Sequence, residues 1–180
     1  MKAQDNKRIV FVSRGLGSGG AQKNLVFVAN TLSKEGYDVK IISMSTDQST
    51  LIINNAIQIQ TLGFNFSWLN IQSYNFLLRF FLKIKLLIRL RRKIKEYNPS
   101  LIVAFMSDIV RIVKFSTKGL RFKIIGSERA NPYLYDTKQY SKYSKAYGAC
   151  DYVVFQTKKA AQAFNQNIQE KSVVIANPCI

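Results

Sequence analysis

The stretch Ile9-Val10-Phe11-Val12-Ser13-Arg14-Gly15-Leu16-Gly17-Ser18-Gly19-Gly20-Ala21 decides the fold. Its four opening residues are continuously apolar, as in a strand buried on both faces. Apolar periodicity restarts at Leu25, Val28, Ala29 and Leu32, the spacing of one helix face, and Gly36 supplies the stop. A glycine-rich turn from a parallel strand into a helix aims several backbone N–H groups at one spot. The helix dipole adds partial positive charge there. The turn is therefore expected to be an anion site, most often for phosphate, with Gly19, Gly20 and Ala21 at its heart. Gly20 in particular is expected to hold a backbone only glycine adopts. The alternative is a turn whose glycines merely allow strand and helix to pack closely.

Working outward, strand-like runs recur at 9–13, 39–43, 57–62, 101–105, 122–127, 152–156 and 172–175. Helical periodicity lies between most of them, and Asn98-Pro99 ends the longest helix. This alternation predicts an α/β, Rossmann-like, doubly wound and mostly parallel sheet with helices on both faces. Residues 1–180 are expected to form one such domain, with Asn177-Pro178 at its boundary.

Composition narrows the chemistry. Twenty-seven basic residues stand against ten acidic ones, a net charge of +17, which calls for an anionic partner. There is no histidine, so a Ser-His-Asp triad, a Cys-His pair and His-ligated metals are excluded. Cys150 and Cys179 lie in no CxxC and read as reduced structural thiols. No uncharged run approaches the roughly 20 residues that span a bilayer. The expected location is cytoplasmic, peripheral on the inner face of the cell membrane.

Gly15, Gly17 and Gly20 match the G-x-G-x-x-G dinucleotide fingerprint. Its acidic partner should end the second strand. That position reads Ile42-Ser43-Met44-Ser45, with no carboxylate until Asp47. An NAD(P)-binding oxidoreductase domain is thus the second reading, and a non-enzymatic basic domain binding anionic membrane or nucleic acid the third. No recognisable nucleic-acid-binding module is present, so nucleic acid is not an expected partner.

Four segments carry a resemblance. Ser18-Gly19-Gly20-Ala21-Gln22-Lys23 and Gly36-Tyr37-Asp38-Val39 look like the opening of family 4 (group 1) glycosyltransferases of the GT-B fold. Ser127-Glu128-Arg129-Ala130-Asn131-Pro132 is similar to the Ser-Glu-Arg-Asn-x-Pro block of one branch, with Ala130 inserted. Ala149-Cys150-Asp151-Tyr152-Val153-Val154-Phe155-Gln156-Thr157 resembles a third block, and 173–178 resembles the hinge between the two domains of these enzymes. The resemblance implies the N-terminal, acceptor-side half of a bacterial-type enzyme. The donor-binding domain, with its Glu-x7-Glu pair, lies outside this chain, so no catalytic residue is expected here and the chain alone should be inactive. The implied parent is a retaining enzyme that needs no metal and no cofactor. It would take a nucleotide-sugar donor and a membrane-associated, polyprenyl-diphosphate-linked saccharide acceptor. Members often place a histidine in the acceptor cleft, and this chain has none.

Two further features nominate residues. Ser107, Asp108, Glu128, Arg129 and Asn131 follow expected strands at their carboxyl ends, where ligands of open α/β sheets collect. Arg129 would clamp phosphate or orient a sugar hydroxyl, and Glu128 would accept sugar O–H groups or hold Arg129. The alternative is an internal Glu128–Arg129 ion pair that fixes the loop. Residues 74–96 form a strongly basic helix with Glu96 its sole acid. Phe76, Leu77, Phe80, Phe81, Ile84, Leu87 and Ile88 form a wide face expected to pack on the sheet. Leu78, Leu82, Leu86 and Leu90 would then lie outside among Arg79, Lys83, Lys85 and Arg89, as a membrane or lipid-phosphate contact. The alternative is a core helix with a charged outer face.

Overall fold

The computed structural model describes residues 8–46, 51–64 and 76–177. Seven strands form one parallel sheet: β1 (Arg8–Ser13), β2 (Asp38–Ser43), β3 (Gln58–Thr61), β4 (Leu101–Phe105), β5 (Lys123–Ser127), β6 (Tyr152–Phe155) and β7 (Ser172–Val174). Each falls within one residue of its expected position. The order β3-β2-β1-β4-β5-β6-β7 reverses between β1 and β4, the switch point where such sheets bind ligands.

The strand pleat divides the core. Ile9, Phe11, Val39 and Ile41 turn to one face, where α1 (Gly20–Lys34) buries Leu25, Val26 and Ala29 against them. Val10, Val12, Ile42, Ile102, Ala104 and Ile124 turn to the other. There α2 (Phe76–Tyr97), α3 (Ser107–Ser116) and α4 (Thr137–Gly148) form a continuous layer, joined by side chains of α5 (Lys158–Gln162) and α6 (Gln166–Glu170). Cys150 is buried in this core, and burial pushes its thiol up to about 11, as befits an inert structural cysteine. Cys179 lies outside the described residues.

Gly36 stops α1 as expected. It sits at φ +84°, and the Tyr37 N–H returns to the Leu32 carbonyl at 3.1 Å, the six-to-one bond of a Schellman motif. Gly36→Ala is expected to lose about 1–2 kcal/mol, the cost of the left-handed conformation for a residue with a β-carbon. A urea midpoint that falls by that amount at constant slope checks it.

The orientation of α2 reverses the expected one. Leu86, Leu90, Ile94 and Tyr97 are buried, and Leu82 packs beside them. Phe76, Leu77, Phe80, Phe81 and Ile88 are 51–78% exposed. The reason is length of ridge. The series Leu82, Leu86, Leu90, Ile94, Tyr97 stays apolar along the whole part of the helix that overlies the sheet. The competing stripe ends at Ile88, beyond which Arg91, Arg92 and Lys95 occupy its track. Burial starts at Leu86, and Arg89 donates to the carbonyl of Leu62, just past the end of β3. The first turns of α2 therefore extend past the carboxyl edge of the sheet, by on the order of 10–15 Å at 1.5 Å per residue. No helix among the described residues is long and apolar enough to cross a membrane.

Candidate functional site

The carboxyl edge of the sheet gathers the expected residues around the switch point. From β1 the chain enters the glycine turn, where Ser13 Oγ donates to the Gly15 carbonyl at 3.0 Å. Gly19 is the N-cap of α1 and offers no side-chain cap. Gly19 and Gly20 are exposed and Ala21 half-buried, so the start of α1 lies at the surface. Gly20 is a correction. Its φ lies outside the left-handed region and a β-carbon there would meet nothing within 4 Å, because it is already the first helical residue. Its backbone does not demand glycine.

The turn after β4 lies beside it. Met106 adopts φ 76°, ψ 147°, a region nearly restricted to glycine and worth about 1–3 kcal/mol of strain. Its N–H bonds the Ser127 carbonyl at 2.8 Å and its carbonyl accepts from Val110 at 3.0 Å, so both neighbouring elements hold it there. Ser107 opens α3, is buried, and shares a hydrogen bond with the Tyr135 hydroxyl at 3.2 Å. Asp108 forms an ion pair with Arg14, which leaves the end of β1. The switch point is thus bridged by a charge pair across the two strands that diverge there.

The loop after β5 is the most constrained part. Glu128 is 1% exposed. Its Oε1 accepts the N–H groups of Arg129 (2.8 Å) and Ala130 (2.9 Å). Its Oε2 accepts the hydroxyls of Tyr135 (2.7 Å) and Tyr147 (3.1 Å). Burial pushes the Glu128 pKa up against the pull of those donors, and burial with the nearby carboxylate pushes both tyrosines up. Glu128 therefore shapes the loop from inside. Arg129 does not pair with it. Its Nε donates to Ser127 Oγ and its Nη1 to Asn177 Oδ1, both at 2.8 Å, and its guanidinium lies 5.2 Å from the Phe105 ring centre. Asn177 also accepts from the buried Asn24 of α1, so one side-chain oxygen ties three segments together. Asn131 is exposed and caps the short 3-10 turn Pro132–Leu134 by accepting from Tyr133 N–H.

Beside this loop opens a cleft of about 630 Å³, lined by Arg129, Asn131, Tyr133, Gln156, Thr157 and Lys159 among others. Two cations, several amide and hydroxyl groups and one aromatic ring suit a phosphorylated or polyhydroxylated ligand. Gln156 Nε2 reaches the Arg129 carbonyl at 3.3 Å, and Tyr133 hydroxyl reaches the Lys159 carbonyl at 3.1 Å, closing the walls. Glu128 to Asn131 come together here, while Gly19 to Ala21, Ser107 and Asp108 lie nearer the switch point. Asn177 and Arg129 link the two groups. Arg79 is half-buried on α2, Lys83 and Lys85 are exposed, and Arg89 is occupied by Leu62, all on the overhanging helix.

Residues not nominated for the site from sequence include Arg14, Asn24, Tyr135, Tyr147 and Asn177, the last read only as part of the domain boundary. Asn24 carried a signal, a polar side chain on the buried stripe of α1. The tyrosines carried none, since their partner is seven and nineteen residues away. For the dinucleotide reading, β2 ends in Ser43, Met44 and Ser45, and Asp47 lies outside the described residues.

A seven-stranded parallel sheet with this order, helices on both faces and a ligand-competent carboxyl edge is the Rossmann-like half of a GT-B glycosyltransferase fold. The apo form of the lipopolysaccharide outer core galactosyltransferase WaaB matches with a TM-score of 0.69 at 13% identity, covering 95% of this chain and 46% of that one. Anabaena HepE in complex with UDP-glucose matches with a TM-score of 0.66 at 13% identity, covering 94% and 43%. A relative in sequence is the Campylobacter jejuni GalNAc-α-(1→4)-GalNAc-α-(1→3)-diNAcBac-PP-undecaprenol α-1,4-N-acetyl-D-galactosaminyltransferase, 31% identical over 126 residues. That alignment covers 69% of this chain and 33% of the relative, so the chain spans about a third of that protein's length. No family model matches the chain.

Proposed function

We propose that the chain is the acceptor-side domain, residues 1–180, of a family 4 glycosyltransferase. The parent transfers a sugar from a nucleotide-sugar to a polyprenyl-diphosphate-linked saccharide at the cytoplasmic face of the membrane, with retention and without metal or cofactor. One observation carries this reading. The uncapped start of α1 and the Arg129 cleft share the carboxyl edge of the sheet, and the apolar, basic start of α2 overhangs that same edge. A lipid-linked substrate has a diphosphate, a sugar chain and an apolar tail. This edge offers cations and N–H groups for the first, a cleft edged by Asn131, Tyr133, Gln156 and Thr157 for the second and the exposed apolar side chains of α2 for the third. The C. jejuni relative is named for such an acceptor and HepE is seen with UDP-glucose, which supports the assignment of acceptor and donor classes. The donor half and the bond-forming groups belong to the parent's other domain.

The test is turnover by the intact protein with an undecaprenyl-diphosphate saccharide and a panel of nucleotide-sugars. Arg129→Ala is expected to raise the acceptor KM about 10- to 150-fold, the worth of one charge-assisted contact, with the donor KM unchanged. Arg129 also braces Asn177, so the melting point will fall somewhat. A melting point that collapses while the surviving folded enzyme turns over normally would make Arg129 structural only. This chain alone should transfer no sugar.

A further inference from the structure

A second cavity, of about 520 Å³, lies between α3 and α4. Arg111, Lys114, Lys118, Lys142 and Lys145 line it together with Phe115, Ala146 and Ala149, and no acidic residue lines it. Both helices run antiparallel to the strands. Their last turns therefore lie where β5 and β6 begin, at the edge of the sheet opposite the Arg129 cleft. This cavity is not part of the acceptor site.

Helix ends explain some of that charge but not all. Cations are favoured at a helix C-terminus, and that of α4 is already served: Lys114 donates to the Ala149 carbonyl, and Lys171 to those of Gly148 and Cys150. Arg111, Lys118, Lys142 and Lys145 form no ion pair among the described residues. Lys142 and Lys145 stand three apart on one helix face, as do Arg111 and Lys114, an arrangement that destabilises a helix unless an anion relieves it. Phe115 stands 60% exposed in the midst of these charges.

We propose that the α3–α4 groove binds the phosphate headgroup of an anionic phospholipid at a bilayer surface, with Phe115 reaching toward the glycerol region. The layer itself favours a bilayer over a polynucleotide. It continues into α2, whose exposed Phe76, Leu77, Phe80 and Phe81 offer insertion rather than base stacking along a charged track. The inference rests on the membrane reading above and adds a specific headgroup site to it.

Co-sedimentation of the chain with phosphatidylcholine vesicles, with and without phosphatidylglycerol, tests it. Lys142→Gln with Lys145→Gln should weaken binding to the anionic vesicles about 30-fold, each lysine near the surface contributing about fivefold. Lys23→Gln with Lys34→Gln removes the same charge from α1, on the opposite face of the sheet, and should change binding little, because exposed charges are screened over about 8 Å. All four residues are exposed, and equal melting points for both double variants would confirm that folding is unaffected. Equal weakening by the two pairs would reduce the groove to general attraction and overturn the proposal. So would loss of binding to a single-stranded oligonucleotide with vesicle binding intact, or binding of free glycerophosphate that the groove variant abolishes while vesicles never bind. Phe80→Ser with Phe81→Ser separates the two readings. If that variant loses the vesicles and the groove variant does not, the groove proposal fails and the membrane reading stands. If the wild-type chain ignores anionic vesicles, both fail.

Discussion

Glu128→Ala is expected to destabilise the chain by about 3 kcal/mol or more, because a donor left without its acceptor costs about 1–3 kcal/mol and several are left at once. Two backbone N–H groups and two tyrosine hydroxyls lose their shared acceptor at once. The loop that carries Arg129 then loses its internal brace. Glu128→Gln should behave differently. Its carbonyl oxygen keeps both N–H groups, and its amide donates to the tyrosine hydroxyls, of which Tyr135 can turn its proton to Ser107 Oγ 3.2 Å away. The Gln variant also removes a titration. The Glu128 pKa is raised by burial, so the folded chain holds a proton at pH values where the unfolded chain has released it. That contribution to stability is fully present below the unfolded value near 4.5 and is lost as pH rises through the raised one. The stability of Glu128→Gln relative to wild type should therefore improve from pH 4 to pH 7. A wild-type-minus-variant difference that stays flat over that range, in urea titrations, would contradict the burial argument.

Much of the fold was legible because parallel strands buried on both faces leave an unbroken apolar signature. The stretch 9–13 and its six successors all fell into place, and Gly36 and Asn98 marked helix ends through conformations few residues tolerate. The orientation of α2 was misjudged for a physical reason. A helix with leucine or phenylalanine on nearly every side has two candidate ridges, and the choice follows from which one stays apolar out to Ile94 and Tyr97. Composition near its start pointed the other way. At the site, position in the chain located Ser107, Asp108, Glu128 and Arg129 at strand ends, because topology alone brings those ends together. What each side chain does there was not legible. An acidic residue followed by a basic one reads as an ion pair, yet the backbone turns Glu128 into the core and Arg129 across the edge to Asn177. The partners that decide this, Tyr135, Tyr147 and Asn177, are brought in by the loop before α4, by α4 and by the segment after β7, and no local pattern records them. Gly20 shows the converse. A glycine-rich motif reads as conformational need, while the conformation itself is plain helix.

Gly126→Val is expected to cost about 3 kcal/mol, the upper part of the range for overpacking a core. Gly126 lies in β5 facing α4, where a β-carbon would come within 2.8 Å of Tyr147 Cδ1 and 3.2 Å of Cys150 Sγ. Neither neighbour can give way freely. Tyr147 is fully buried, its ring packs near Phe155 and Phe164, and its hydroxyl is committed to Glu128. Glycine at 126 is therefore a requirement of close approach rather than of backbone conformation, and the clearance it provides lets Tyr147 reach the site. This gives the packing defect a functional signature. Even the smaller Gly126→Ala should push the ring and draw its hydroxyl from Glu128, so the two residues are energetically coupled. Tyr147→Phe alone should cost about 1.5–3 kcal/mol, the worth of a hydrogen bond to a charged group. In the Gly126→Ala background it should cost measurably less, because that bond is already compromised. Distant, independent sites add within about 0.3–0.5 kcal/mol, so a double-mutant cycle closing inside that margin would show that Gly126 merely fills space and does not position the Tyr147–Glu128 contact.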